Sequence, residues 1–280
     1  MLFRSDSSDY TVGMANSASE RVPKIRVCLL WHMHQPYYKD LITGVYRLPW
    51  TRMHGLKDYY GMVALLKEFP EVHATFNLVP SLLLQLQEYA SGSANEPVQK
   101  VAFTPADELR MEDRVMALTS LFQANPDRLI ARYPRYLELF ERYAAAEFNP
   151  ARALPFFQQQ DFADLQVLSQ LAWFDEFALL EDTQVQALAT KGRGYTVEDQ
   201  KILYERQQKL LSQIIPAYRA AADSGQVELS TSPFYHPILP LLCDSECARE
   251  PHPGVPLPRA RFMRPEDARL QLERAISLHT

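Results

Sequence analysis

Two histidines close an apolar run in VCLLWHMHQPYY, residues 27–38. Successive side chains of an extended chain alternate between faces. His32 and His34 therefore share a face with Cys28 and Leu30, while Val27, Leu29, Trp31 and Met33 take the other. Strand packing does not require that ending: one buried imidazole finds partners easily, but two on one face need two sets of them. An imidazole can donate and accept hydrogen bonds, ligate a metal or carry a proton. The residue types alone leave these roles open. Trp31, on the opposite face, reads as core. A second stretch with chemical content is GQVELSTSPFYHPILPLL, residues 225–242. Val227 and Leu229 face one way and Gln226, Glu228 and Ser230 the other, so a carboxylate lands on the polar face of a short strand. His236 follows in a proline-rich turn. The acids of WFDEF, Asp175 and Glu176, lie in a helical setting and read as packing or surface groups. CDSEC, with Cys243, Cys247 and nearby His252, has poor zinc spacing and reads as a solvated loop.

The elements that must position these residues follow from periodicity. KIRVCLLWHMH is apolar on both faces, as a strand covered on both sides would be. MHGLKDYYGMVALLKEFP repeats apolar residues at helical spacing through Leu56, Tyr60, Val63, Ala64 and Leu66, and Pro70 stops it. HATFNLV is a short strand, after which Pro80 and Ser81 open a helix that Gly92 can close. This β-α-β-α order is the signature of a parallel sheet, and the strand at QVELSTS is expected to join it beside the other two. Residues 94–224 break the alternation with long helical repeats. The last of these starts at a capping box of Thr196 and Asp199, is expected to kink at Pro216 and stops at Gly225. A helical excursion of this size inside a βα framework is commonly an insertion at one face of a sheet or barrel.

Composition narrows the function classes. The 280 residues are about half apolar and carry a formal net charge of −5, enough for a sizeable core. Lys and Arg are scattered, so there is no basic footprint for nucleic acid. No apolar stretch reaches the roughly 20 residues of a membrane span. The three cysteines, Cys28, Cys243 and Cys247, are too few and too uneven for a secreted disulfide scaffold. Cys28 is expected to pack as a small hydrophobe, which points to a reducing, cytoplasmic compartment. The first 23 residues lack an apolar signal core and read as a disordered tail, with Met14 an alternative start.

At these residues the chain resembles glycoside hydrolase family 57, the α-glucan-active enzymes, and in particular its amylopullulanase-like branch. HMHQPYY looks like the family's first motif, ending in His-Gln-Pro, and GQVELSTSPFYHPILPLL looks like its second, Gly-Gln-x-Glu. FNLVPSLL, DLQVLSQLAWFD, PRYLELFERY and RFMRPEDARLQLERAI are similar to further stretches of that branch, so the resemblance runs from about Lys24 to the last residue. It implies an α/β fold: an incomplete (β/α)7 barrel, its parallel sheet interrupted by the helical insertion at about 94–224, within a unit spanning residues 24–280. It also implies retaining hydrolysis or transfer at α-1,4 or α-1,6 glucosidic bonds, an α-glucan or maltooligosaccharide partner, and no cofactor. Carried over residue by residue, His34 and Glu228 match sugar-contacting positions, and His32 and His236 follow. All four are expected to bind substrate, with no metal ligand among them.

A retaining enzyme needs a nucleophilic carboxylate and an acid about 5–5.5 Å from it. The resemblance places the nucleophilic Glu after a helix similar to PEDARLQLERAISLH and the acid Asp well beyond, so both are expected past Thr280, and the 280-residue chain is expected to be truncated and inactive alone. Two other readings stay open on the residues. One is a metal-dependent hydrolase or deacetylase in which His32 and His34 bind Zn²⁺ with an Asp or third His, a site that Glu228 and His236 could complete. The other is a non-catalytic glucan-binding fragment.

Overall fold

Three parallel strands carry the candidate residues. In the computed structural model, which describes residues 25–279, β1 (Leu30–Met33), β2 (Ala74–Leu78) and β3 (Val227–Ser230) form one sheet in the order β1-β2-β3. The three expected segments are thus adjacent and parallel, and the α/β class holds. The expected tail, residues 1–23 with Met14, lies outside the described residues. Between β1 and β2 come α1 (Trp50–His54), a π-helical turn at Gly55–Tyr59, and α2 (Tyr60–Ala64). After β2, α3 (Pro80–Ala90) begins with proline at its first position, where a missing N–H costs nothing because that group has no helical partner anyway.

Residues 94–224 are mainly helical: α4 (Pro97–Phe103), α5 (Met111–Ser120), α6 (Pro134–Ala145), α7 (Pro150–Ala153), α8 (Gln159–Leu171), α9 (Glu176–Glu181), α10 (Thr183–Lys191) and α11 (Val197–Asp223). Thr196 and Asp199 form the expected capping box at the start of α11. Pro216 lies inside that helix, which continues to Asp223, and Gly225 then takes a left-handed φ of 78° that turns the chain into β3. After β3 come α12 (Leu239–Cys243) and α13 (Pro265–His279).

Residues registered across parallel strands share a face, so Trp31, Phe76 and Leu229 form one row and Met33 and Leu78 the next. Met33, Phe76, Leu78 and Val227 are buried in the same core as Leu82 and Leu86 of α3 and Leu211 and Ile214 of α11. Two expectations fail at the sheet edge. Trp31 lies on the core side of the sheet but is 50 % exposed, and Leu30, on the other face, is 60 % exposed. Cys28 is likewise exposed rather than packed. The physical reason is position: among the described residues β1 is an edge strand, flanked by a strand on one side only, whereas the central strand β2 is flanked on both.

The turn at Gly55–Tyr59 locks the helical layer together. A π-turn leaves a carbonyl without its usual helical donor, and here Leu56 O accepts from Asp175 N at 2.8 Å. Asp175 also caps α9 by accepting from Phe177 N at 2.8 Å. Burial raises its carboxyl pKa, against backbone hydrogen bonds from Phe177 and Gly61 that lower it. Glu176 pairs with Arg132 at 2.5 Å, so both WFDEF acids are structural, as the helical setting predicts. A Cβ at Gly61 would collide with Asp175 Oδ2 and lie 2.9 Å from its Cγ, and shifting that carboxyl would disturb the bond from Phe177 N by which it caps α9. Gly61→Ala is therefore expected to cost about 1–3 kcal/mol, the usual penalty of overpacking. Urea denaturation checks this, and an unchanged midpoint would show that Asp175 can leave its place freely.

Candidate functional site

Parallel strands bring their C-terminal ends to one edge of the sheet, where α/β folds bind ligands. Three loops meet there: His34–Tyr38 after β1, Val79 and the start of α3 after β2, and Thr231–Pro237 after β3. The first is held down by α3, since Ser81 Oγ donates to Gln35 O (2.9 Å), Gln85 Nε2 donates to Pro36 O (2.9 Å) and Tyr38 N donates to Gln85 Oε1 (3.0 Å). Gln35 is clamped from the side, donating to Tyr59 Oη at 2.7 Å and accepting from Tyr38 Oη at 2.9 Å. The Gln-Pro of the motif thus fixes the path of the backbone beside His34. The third loop is fastened by α13: Phe234 N donates to Gln271 O (3.1 Å) and Tyr235 N to Gln271 Oε1 (2.7 Å). Ser81 N also donates to Phe234 O at 3.0 Å, tying this loop to α3.

The result is a cluster of three imidazoles. Ring centroids lie 5.7 Å apart for His32–His34, 4.8 Å for His32–His236 and 4.4 Å for His34–His236. One nitrogen from each lies within 4.8 Å of the other two, so among the described residues these three form a group that could hold a metal ion. His236 has a φ of 55°, a left-handed backbone that residues with a Cβ seldom adopt, and its N–H donates to Pro233 O at 2.8 Å. Burial, reinforced by the neighbouring His236 and His32 rings, holds the His34 pKa below the usual histidine value. That shift favours the neutral form of the His34 ring. Tyr37 and Tyr235 flank the cluster edge to face, centroids 5.3 Å apart, and the Tyr37 hydroxyl is pushed up by burial, then by Glu88 and Tyr235.

Asn77 orders the cluster from beneath. In register with His32 on one side and Ser230 on the other, it donates from Nδ2 to Ser230 Oγ at 3.2 Å. That turns its Oδ1 toward His32 Nδ1, 2.9 Å away, and Ser232 Oγ donates to the same oxygen at 2.8 Å. An amide oxygen only accepts, so His32 Nδ1 is the donor in this contact.

Glu228 sits on the same face, one alternation earlier along the strand. It is registered with Thr75, whose Oγ1 donates to Glu228 Oε2 at 3.4 Å, and not with the Asn77 row. One such step is about 6.6 Å along the strand and two strands about 9.6 Å across. The structure thus joins His32, His34 and His236 directly and leaves Glu228 at the margin of the cluster. Asn77 and Ser232 were not among the sequence candidates. The available signal was a polar residue at an alternate position of HATFNLV, where Asn77 interrupts an otherwise apolar strand end. The CDSEC stretch is away from this chemistry: Cys243 and Cys247 are free, and Asp244 caps the next turn and pairs with Arg261.

In a comparison against known families, the profile of glycosyl hydrolase family 57 matches residues 28–279. The chain belongs to glycosyl hydrolase family 57. Comparison with curated proteins and with solved structures gave no match. The matched span includes both the His-Gln-Pro and the Gly-Gln-x-Glu stretches. Among the described residues no helix is long and apolar enough to cross a membrane.

Proposed function

We propose that this chain is the sugar-contacting part of an α-glucan-active family 57 enzyme of the amylopullulanase-like type, retaining in mechanism and acting on α-1,4 or α-1,6 glucosidic bonds. The observation that carries the reading is the convergence of His32, His34 and His236 at the C-terminal ends of three parallel strands, with His32 oriented by Asn77. Ring nitrogens can donate or accept hydrogen bonds, which matches the paired donor and acceptor character of adjacent sugar hydroxyls. Glu228, an acceptor at the margin, suits a neighbouring hydroxyl. The three-stranded parallel sheet is read as part of a (β/α)7 barrel, and residues 94–224 are the helical insertion that shapes access to it. None of this chain's carboxylates is assigned as nucleophile or acid: Glu228, in contact with Thr75 Oγ1 at 3.4 Å, is read as a sugar contact, and retention needs a pair of carboxylates about 5–5.5 Å apart.

Titration of the 280-residue chain with maltooligosaccharides tests the reading. A net hydrogen bond is worth about 0.5–1.5 kcal/mol, so His34→Ala is expected to weaken binding roughly two- to twelvefold. Unchanged affinity in that variant, or no binding of any α-glucan, overturns the sugar-contact assignment. Turnover of amylose or pullulan that disappears in Glu228→Gln would instead make Glu228 the nucleophile.

A further inference from the structure

The three histidines also have the makings of a metal site, and we propose that His32, His34 and His236 bind one divalent transition-metal ion of the Zn²⁺ type, in competition with glucan. The competition rests on the sugar-contact reading above, whereas the metal site stands on its own geometry.

Imidazole nitrogen is the donor that suits zinc, copper and nickel, and three such donors with a free fourth position form a known open coordination pattern. A tetrahedral ion with metal–nitrogen bonds of about 2.0–2.1 Å sets its nitrogens roughly 3.4 Å apart. The donors here lie within 4.8 Å of one another, so the set has to draw in by no more than roughly 1.4 Å per pair to close on an ion. Metal-bound histidines donate their other ring N–H to an oxygen that fixes tautomer and orientation. His32 already does so, Nδ1 to Asn77 Oδ1 at 2.9 Å, and Asn77 is itself held by Ser230 and Ser232.

Backbone geometry adds a second, independent observation. His236 keeps a left-handed φ of 55° at a place where Gly or Asn would be relaxed, and such conformations cluster at ligand sites. Two anchored loops hold it there: its own, tied to Gln271 of α13, and the loop of His34, tied to Ser81 and Gln85 of α3. The alternative in which Glu228 completes the ligand set does not fit, since that carboxylate is registered with Thr75. A lone pair that ligates a metal cannot accept from a sugar hydroxyl, which is why the two ligands exclude each other.

The test is titration of the full chain with Zn²⁺, and with Co²⁺ read by its visible absorption. One equivalent is expected in the parent and in Glu228→Gln. His34→Ala and His236→Asn, the latter chosen because Asn tolerates the left-handed backbone, are each expected to lose more than about 100-fold in affinity, and Asn77→Ala, which removes a positioning residue, about 10–100-fold. No binding by the parent, or binding undiminished in both histidine variants, overturns the site. Maltooligosaccharide is expected to raise the apparent Kd for Zn²⁺; an unchanged or lowered value overturns the competition and leaves the site standing. A chain that binds Zn²⁺ as described but no maltooligosaccharide refutes the sugar reading alone.

Discussion

Arg52→Met is expected to destabilise the chain by about 3–5 kcal/mol, because it leaves a carboxylate buried without its counter-charge. Arg52 is fully buried in α1, and its Nε and Nη2 donate to Glu96 Oε2 and Oε1, each at 2.9 Å. Its Nη1 donates to Gln170 Oε1 at 2.6 Å and reaches Gln207 at 3.5 Å. Glu96 in turn accepts from Gln99 N at 3.0 Å and so caps α4. One guanidinium thereby joins α1, α4, α8 and α11, the framework that carries the helical layer against the sheet. A fork of five donors meeting a carboxylate bidentately has no substitute in Lys or Met. The double variant Arg52→Met, Glu96→Gln is expected to recover much of the loss, since removing both charges removes the uncompensated one. Urea denaturation of the parent, the single variant and the double variant measures both numbers. A single variant within about 1 kcal/mol of the parent would show that water reaches Glu96.

Phe76→Ala is expected to cost a comparable 3–5 kcal/mol, the range for emptying a buried aromatic site. Phe76 is fully buried on the central strand and meets the Tyr218 ring edge to face at a centroid distance of 5.0 Å. Tyr218 cannot swing in to fill the void without giving up its hydroxyl bond to Tyr59 O at 2.9 Å. Phe76 is also the residue before Asn77, so it presses one face of β2 onto the helices while Asn77 orders the histidines on the other. Thermal or urea unfolding gives the stability change. The same variant should loosen the His32–Asn77 row, visible as line broadening of the histidine ring signals in NMR spectra. A stability loss below about 1 kcal/mol would mean that the sheet does not lean on α11 through this ring.

Much of this protein is legible in its residues taken alone. Alternation in VCLLWHMH put His32 and His34 on one face, and the same period in HATFNLV and QVELS marked two more strands; a β-α-β-α order made them parallel, and they are. Thr196, Asp199 and Gly225 delimited the last long helix, because caps and left-handed stops depend on side chains within a turn of each other. The motifs around His34 and Glu228 sufficed for the family.

Tertiary structure decided what depends on which segment lies beside which. Nothing local indicates that His236 folds back onto His34, because that contact is made by Gln271 and Ser81 holding a turn in a left-handed conformation. Register, a property of two strands and of neither alone, placed Asn77 under His32 and moved Glu228 one step away. Apolar alternation said that Trp31 faces the core side, but its exposure was set by β1 being an edge, where no neighbouring strand covers it. Arg52 and Glu96 are 44 residues apart, and only packing brings them together and removes water from both. Periodicity encodes direction along one chain, and directions become neighbours only when the layers close on one another.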